Sequence, residues 1–355
     1  MRVAMVEDLN NLANWPRFAS LAIGSVPCLT TEQALRELAR LDIPASPQMV
    51  KVSFYEDMLL GAADGLPFIQ IQENERRLVA REKDLADNLA LFYERFYAGD
   101  FSFLALGEKS SEGLRAFLQK AKVDPSFGAS YLKAQVVGPI TFAQSTRLDN
   151  GNSAVDQPDI LEALSFGLGA KAAYLASLIR DVNRSALVFI DEPGLSGYGS
   201  AFSTLSAETI LKSLGRAIET AKSQGPVMIG CHVCGNTDWG LLARAPLDVL
   251  NFDAFNHMEA FCLYPKELKD FLERGGFVAW GLAPTENFDP AITAELLLDR
   301  FWAGVKPLWR YIDRDLLMKR SLFSPSCGLG SLPMATARNI LIVVAELSEL
   351  ARVSS

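Results

Sequence analysis

The sequence is poor in histidine and has no excess of positive charge. Only two of its 355 residues are histidines, and 34 lysines and arginines stand against 42 acidic residues, for a formal net charge of -8. No basic stretch is long enough to neutralise a row of phosphates, so nucleic acid is not expected as a ligand. An anionic membrane surface is disfavoured for the same reason.

Long hydrophobic runs and paired cysteines are also missing. No segment approaches the roughly 18 unbroken apolar residues of a membrane span, and the N-terminal MRVAMVEDLNNLANWPRF lacks the apolar core of a signal peptide. We therefore expect a cytoplasmic protein that does not bind membranes. The five cysteines are an odd number, which argues against a disulfide framework and leaves reduced thiols available as metal ligands.

Short apolar segments alternate with longer amphipathic ones, which is the pattern of a parallel α/β sheet. Candidate strands lie at 19–24, 46–50, 131–138, 186–191, 226–232, 248–253, 276–282 and 321–326, and helices at 31–41, 160–183, 207–224, 266–274, 292–311 and 335–351. Eight such units predict an α/β fold, a (β/α)8 TIM barrel that forms one catalytic domain over 1–355. The long segment 66–127 predicts an insertion between strands two and three, with a hairpin at LPFIQIQ and a charged helix over 73–97.

The active site of a TIM barrel forms where the strands end, so the residues at those ends are the candidates for chemistry. His232, Cys234 and Cys327 are imidazole and thiol groups of the kind that bind Zn²⁺, and Asp253 could add an oxygen ligand. A buried histidine and packed free cysteines would give the same pattern, and the spacing alone leaves both interpretations open. We interpret the other cysteines, Cys28, Cys231 and Cys262, as core residues and His257 as a loop residue.

Two further strand ends carry polar groups. Asp191 ends an apolar strand and is followed by Glu192, so a carboxylate there could hold a cationic group or accept a proton, although an acid that caps a turn is the alternative. Gly24 and Ser25 follow the first strand and offer backbone N–H groups and a hydroxyl to a carboxylate.

Six motifs, in order, resemble the C-terminal catalytic barrel of the cobalamin-independent methionine synthases, and they span nearly the whole chain: AIGSVP, VVGPITF, FIDEPGL, GCHVCGNTDW, VLNFD and SPSCGLGSL. The resemblance implies a zinc ion held by His232, Cys234, Asp253 and Cys327, with Asp253 at a position where the family usually has Glu. It also implies that homocysteine binds through its carboxylate to Ile23, Gly24 and Ser25 and through its ammonium to Asp191. Glu56 is the nearest candidate for a second acid at the ammonium.

Two departures from the family pattern concern the methyl donor. The long enzymes have an additional N-terminal half and a histidine after strand seven that protonates the folate leaving group, whereas this chain begins at the catalytic barrel and has Leu282 at that position. Both differences argue against methyl-tetrahydrofolate. The short members of the family are understood to take the methyl group from methylcobalamin, and cob(I)alamin leaves without protonation. The resemblance therefore predicts zinc-dependent methyl transfer from methylcobalamin, carried by a corrinoid protein, to homocysteine.

Three alternatives remain open. A methylcobamide:coenzyme M methyltransferase shares the His-x-Cys-Gly motif and the distant cysteine, but coenzyme M has no amino group to pair with Asp191. A metal-free lyase similar to uroporphyrinogen decarboxylase uses the same barrel, but it needs basic residues to hold many carboxylates, and few are near these strand ends. A barrel that only binds a corrinoid partner would contain no metal.

Overall fold

The computed structural model of the protein describes residues 15–128, 130–199 and 205–354. Most of the N-terminal stretch considered for a signal peptide therefore lies outside the described residues. The strands in the described part are β1 (Gln70–Gln72), β2 (Arg77–Ala80), β3 (Tyr131–Val137), β4 (Thr146–Leu148), β5 (Ser185–Asp191), β6 (Met228–Val233), β7 (Val249–Phe252), β8 (Phe277–Ala283) and β9 (Ser321–Pro325).

The core of the fold is a curled sheet of six parallel strands in the order β3-β5-β6-β7-β8-β9. Almost every residue of these strands is buried, because helices cover one face and the opposite strands cover the other. Burial on both faces explains why the segments are continuous apolar runs without alternation. The parallel α/β prediction is confirmed, and six of the eight predicted strands form as regular strands.

The first two predicted strands are irregular. The segment 19–25 makes isolated parallel bridges from Ser20 to β9 and from Leu21 to Ile43, and the segment 43–48 bridges Ala45 to β3. Pro44 and Pro47 interrupt this second segment, and proline has no N–H to donate to a ladder. These bridges connect the two edges of the curled sheet in place of two regular strands.

The helices lie between the strands, close to where the sequence predicts them. They are α1 (Thr31–Leu38), α2 (Met58–Ala63), α3 (Leu85–Tyr97), α4 (Glu112–Val123), α5 (Pro139–Ser145), α6 (Pro158–Asp181), α7 (Ala207–Ser223), α8 (Trp239–Arg244), α9 (Ala254–Phe261), α10 (Pro265–Glu273), α11 (Ala294–Val305), α12 (Arg314–Lys319) and α13 (Met334–Ser354). Side-chain caps at Thr30, Ser206 and Thr293 satisfy free N–H groups at the starts of α1, α7 and α11. None of the helices in these described ranges is long and apolar enough to cross a membrane.

The segment 66–127 contains an antiparallel pair, β1 and β2, followed by α3 and α4. The later strand β4, outside this segment, pairs parallel to β2. The predicted helix over 73–97 was wrong in its first half, because only α3 is helical. Arg76 turns the chain in the left-handed region (φ 48°), and Leu78 then pairs with Ile71. The charged residues before α3 therefore belong to a hairpin and two 3₁₀ turns, Glu73–Glu75 and Glu82–Asp84.

Candidate metal and substrate site

Three potential metal ligands meet at one end of the curled sheet. His232 lies in β6, Cys234 follows that strand, and Cys327 follows β9. Their ligand atoms all lie within 4.8 Å of one another, with His232 buried and both cysteines half-buried. Residues almost a hundred positions apart come together because β6 and β9 end on the same side of the sheet.

The side chain of Asn251 on β7 selects the tautomer of His232. The amide nitrogen of Asn251 donates to Ala279 O and Ser324 Oγ, both at 2.8 Å, so its Oδ1 faces Nδ1 of His232 at 2.6 Å as an acceptor. Nδ1 therefore carries the proton, and Nε2 has a free lone pair. This Nε2 atom is buried without a hydrogen-bond partner among the described residues. A metal ion would satisfy it, and a partner on the other ring nitrogen is typical of metal-bound histidine.

The two thiols behave as one unit. A hydrogen bond from the Cys327 thiol, together with the adjacent imidazole of His232, lowers the pKa of Cys234 to about 4. The same contact with Cys234, together with burial, raises the pKa of Cys327. The two thiols therefore titrate as a pair, and the first proton is lost more easily than from an isolated cysteine. An anionic sulfur beside a free imidazole nitrogen is a donor set suited to a soft or borderline divalent cation.

Asp253 is not among the three clustered ligands. It caps α9, and its carboxylate oxygens accept hydrogen bonds from the backbone N (3.0 Å) and the side-chain Nδ2 (2.7 Å) of Asn256. It is nevertheless buried and ends the strand next to β6. Coordination of a metal by Asp253 stays a prediction, and it would require at least one of these bonds to be shared or exchanged.

Asp191 lies beside His232, because the two residues are register partners in β5 and β6. Its Oδ1 atom is buried and has no hydrogen-bond partner in the described part of the chain. Burial raises the pKa of Asp191 to about 6, and the nearby charge of Lys133 limits the rise. Burial likewise lowers the pKa of Lys133 to about 8. Burial disfavours the charged form of each group, whereas their mutual attraction favours it. The free oxygen of Asp191 can accept a cationic donor.

The predicted carboxylate-binding segment lies between β3 and the loop that follows Cys327. The ammonium of Lys133 donates to the carbonyl of Ile23, and a side chain at Gly24 would place its Cβ 2.5 Å from Gln135. Ser25 accepts hydrogen bonds from Leu329 N at its carbonyl (2.9 Å) and from Gly330 N at its hydroxyl (3.2 Å).

Glu192, next to Asp191, has a structural role. It is fully buried, and its carboxylate accepts hydrogen bonds from Ile140 N (3.0 Å), Thr141 N (2.7 Å) and Thr141 Oγ1 (2.6 Å) at the start of α5. Burial raises its pKa to about 7, against the effect of these donors. The two neighbouring acids thus differ: Asp191 has a free oxygen, whereas both oxygens of Glu192 accept hydrogen bonds.

The remaining candidates are not members of the group of three clustered ligands. Both oxygens of Glu56 accept backbone hydrogen bonds, from Met49 N (2.8 Å) and Gly113 N (2.9 Å), and Leu282 is fully buried. His257 lies within α9 at a non-helical φ of -122°. Cys28, Cys231 and Cys262 are buried or half-buried, and burial raises the pKa of each.

Four polar residues that contact the candidate site residues were not identified from the sequence: Lys133, Gln135, Ser196 and Asn251. Ser196 donates to the sulfur of Cys234, which helps to lower the pKa of that thiol. Polar residues inside otherwise apolar strands could have indicated three of them: Lys133 and Gln135 interrupt YLKAQVV, and Asn251 interrupts VLNF. A buried polar residue needs a partner, so such positions predict an internal network.

Comparison with known proteins identifies similar folds. No family model and no curated protein matches the chain. Among solved structures, it is similar to a B12-independent methionine synthase from Shewanella sp. W3-18-1 in complex with selenomethionine, with a TM-score of 0.57 and 15% identity over 96% of this chain and 99% of that one. A putative vitamin-B12 independent methionine synthase from Listeria monocytogenes (TM-score 0.45, 15% identity, 66% and 68% covered) and an endo-β-1,4-mannanase from Cellulomonas fimi (0.39, 16%, 67% and 58%) also match. At this identity, the first similarity concerns the fold.

Proposed function

We propose that this protein is a zinc-dependent methyltransferase that moves a methyl group from methylcobalamin to the thiol of homocysteine and forms methionine. The observation that carries the proposal is the free Nε2 of His232, buried beside the sulfurs of Cys234 and Cys327. The ordered motifs and the fold shared with a methionine synthase support the same reaction. The segments 19–25 and 43–48, which bridge the sheet edges, would complete an eight-stranded barrel around the site.

In this proposal, His232, Cys234 and Cys327 hold the zinc ion and Asp253 is its fourth ligand. When bound, Zn²⁺ supplies the positive charge that keeps a substrate thiol deprotonated at neutral pH. A site with two cysteine ligands and an acid is electron-rich, which preserves the nucleophilicity of a substrate sulfur.

The chain's own residues would orient an amino acid at this site. Asp191 binds the ammonium group with its free Oδ1, and the segment Ile23 to Ser25 binds the carboxylate. An amino acid held at both charged groups directs its side-chain thiol in one direction, and such positioning supplies much of the acceleration in bimolecular transfers. The apolar, fully buried Leu282 supplies no proton donor to a leaving group.

Methylcobalamin matches this lack of an acid. The new S–CH₃ bond forms as the Co–CH₃ bond breaks, and the cobalt retains the electron pair as cob(I)alamin, so the leaving group needs no proton. The donor would be presented by a corrinoid protein. Methyl-tetrahydrofolate, whose nitrogen must be protonated to leave, is not expected to serve directly.

The test combines metal analysis with donor and acceptor exchange. We expect one zinc per chain and a change from the methylcobalamin to the cob(I)alamin spectrum only when homocysteine is added. Turnover with coenzyme M in place of homocysteine would contradict the assigned acceptor. Comparable turnover with methyl-tetrahydrofolate alone would contradict the assigned donor, and a purified protein without zinc would favour a lyase or an inert binding protein.

A further inference from the structure

Lys133 is a fully buried lysine in the middle of β3. Its ammonium donates to the carbonyl of Ile23 and to Oε1 of Gln135 at 3.1 Å, and it lies 4.4 Å from the ring centroid of Phe189. Burial of an ammonium is costly unless its donors are satisfied. A lysine is tolerated at this position because these contacts satisfy its ammonium. An apolar residue would fill the same space at a lower desolvation cost.

The contact between Lys133 and Ile23 joins two segments that are not neighbours in the sheet. The backbone of β3 pairs with the segment 43–48, through Lys133 N to Pro44 O (2.9 Å) and Ser46 N to Lys133 O (2.7 Å). The segment 19–25 pairs with 43–48 and β9, not with β3. The side chain of Lys133 thus reaches past one neighbouring segment to hold the next, while Gln135 Nε2 donates to Ser46 O (2.8 Å) between them.

The held segment is also connected to the metal-ligand loop. Two residues after Ile23, Ser25 accepts the hydrogen bonds from Leu329 N and Gly330 N, which follow Cys327 in the chain. Gln135 packs so closely against Gly24 that a Cβ there would displace the glutamine side chain. A displacement of the Ile23 carbonyl would therefore move the backbone that leads to both Ser25 and the Cys327 loop.

We propose that Lys133 is a positioning residue that fixes the backbone of Ile23 to Ser25 from the far side of the segment 43–48. The geometric part depends only on the contacts above. The consequence for binding rests on the proposed function: the fixed segment keeps its N–H groups and the Ser25 hydroxyl directed at the carboxylate of an amino-acid substrate.

The chain offers a matched control in Lys171. It is also fully buried, and its ammonium likewise donates to carbonyl oxygens, of Asp64 (2.5 Å) and Leu104 (2.9 Å), but these lie in the region of the insertion. Lys133→Met and Lys171→Met each remove one buried ammonium and keep an unbranched side chain that is one heavy atom shorter. Both full-length variants are compared with wild type by hydrogen exchange and thermal unfolding.

In Lys133→Met, we expect amide exchange to accelerate at least about tenfold in peptides covering 20–28 and 326–332, since a charge-assisted hydrogen bond is lost. Lys171→Met should accelerate exchange in 58–66 and 100–108 and leave 20–28 unchanged. Equal exchange at 20–28 in Lys133→Met and wild type would overturn the proposal. If Lys133→Met does not fold, Gln135→Met, which removes one acceptor and one donor of the same network, is measured against the same expectation.

The binding consequence is read separately. With zinc content unchanged, KM for homocysteine should rise at least about tenfold in Lys133→Met with little change in kcat, and it should stay within about twofold in Lys171→Met. An unchanged KM despite faster exchange at 20–28 would overturn the positioning role. If wild type itself does not use homocysteine, the proposed function fails, and the exchange result still decides whether Lys133 fixes the segment.

Discussion

At the scale of single residues, the hydrogen bond from His232 Nδ1 to Asn251 keeps Nε2 of the imidazole available as a ligand. Asn251→Leu removes the acceptor at Nδ1, so the imidazole can rotate or adopt the other tautomer. We expect zinc affinity to fall about 10- to 100-fold, as for other partners of metal-bound histidines. Competition with a chromophoric chelator measures the affinity.

Asn251→Asp is the control for this prediction. It keeps an oxygen acceptor for His232 but loses the donations to Ala279 and Ser324. Its zinc affinity should therefore lie closer to wild type than that of the leucine variant, even if both lose stability. Equal loss of zinc in the two variants would show that Asn251 acts only through packing.

Lys171 gives a prediction for stability against pH. Burial lowers its pKa to about 8 from an ordinary value of 10.5. Below pH 8 the lysine is charged in both states, and the folded state bears the full cost of burying the charge. As pH rises from 8 to 10.5 the folded state loses the proton first, so the cost is relieved.

The free energy of unfolding of wild type, relative to Lys171→Met, should therefore increase by about 3 kcal/mol between pH 7 and pH 10.5. Denaturant titrations of both proteins across this range measure the difference, and other titrating groups cancel between them. A difference that stays constant with pH would contradict the lowered pKa.

At the scale of elements, Glu192 joins β5 to the start of α5. Glu192→Ala leaves two N–H groups and one hydroxyl buried without an acceptor, and we expect a loss of about 3 to 5 kcal/mol in the free energy of unfolding. Glu192→Gln keeps one oxygen acceptor and should cost clearly less. Chemical denaturation measures both, and equal losses would mean that the cavity, not the unpaired donors, sets the cost.

The elements that could be predicted from the sequence are those whose apolar pattern is strong. β5 and β8 are nearly uninterrupted apolar runs, and both formed within one residue of the prediction. The predicted strands at 19–24 and 46–50 gave weaker agreement: glycine and proline interrupt their ladders, and single bridges form within 19–25 and 43–48 instead. The first half of the helix predicted over 73–97 was wrong, because charge patterning does not reveal a left-handed turn such as the one at Arg76.

The same distinction applies to the candidate site. His232, Cys234 and Cys327 were recognisable because their types and positions at strand ends carry chemistry, and they do lie together. Asn251 and Lys133 were not recognised, since their roles depend on which atoms they meet across the sheet. The apolar pattern could not separate the unlike roles of Asp191 and Glu192 either. Neighbouring residues of a strand face opposite sides, and the pattern does not show which side faces the site.

At the scale of the whole molecule, metal binding should contribute to stability. A ligand that binds only the folded state stabilises it by about 4 kcal/mol at a thousandfold excess over Kd. If zinc joins the ends of β6 and β9, removing it with a chelator should lower the melting temperature of wild type by several degrees. The two histidines provide the matched pair: His257→Ala should retain zinc and the shift on chelation, whereas His232→Ala should lose both. Calorimetry with and without chelator measures the shifts, and a chelator effect that persists in His232→Ala would place the stabilising metal elsewhere.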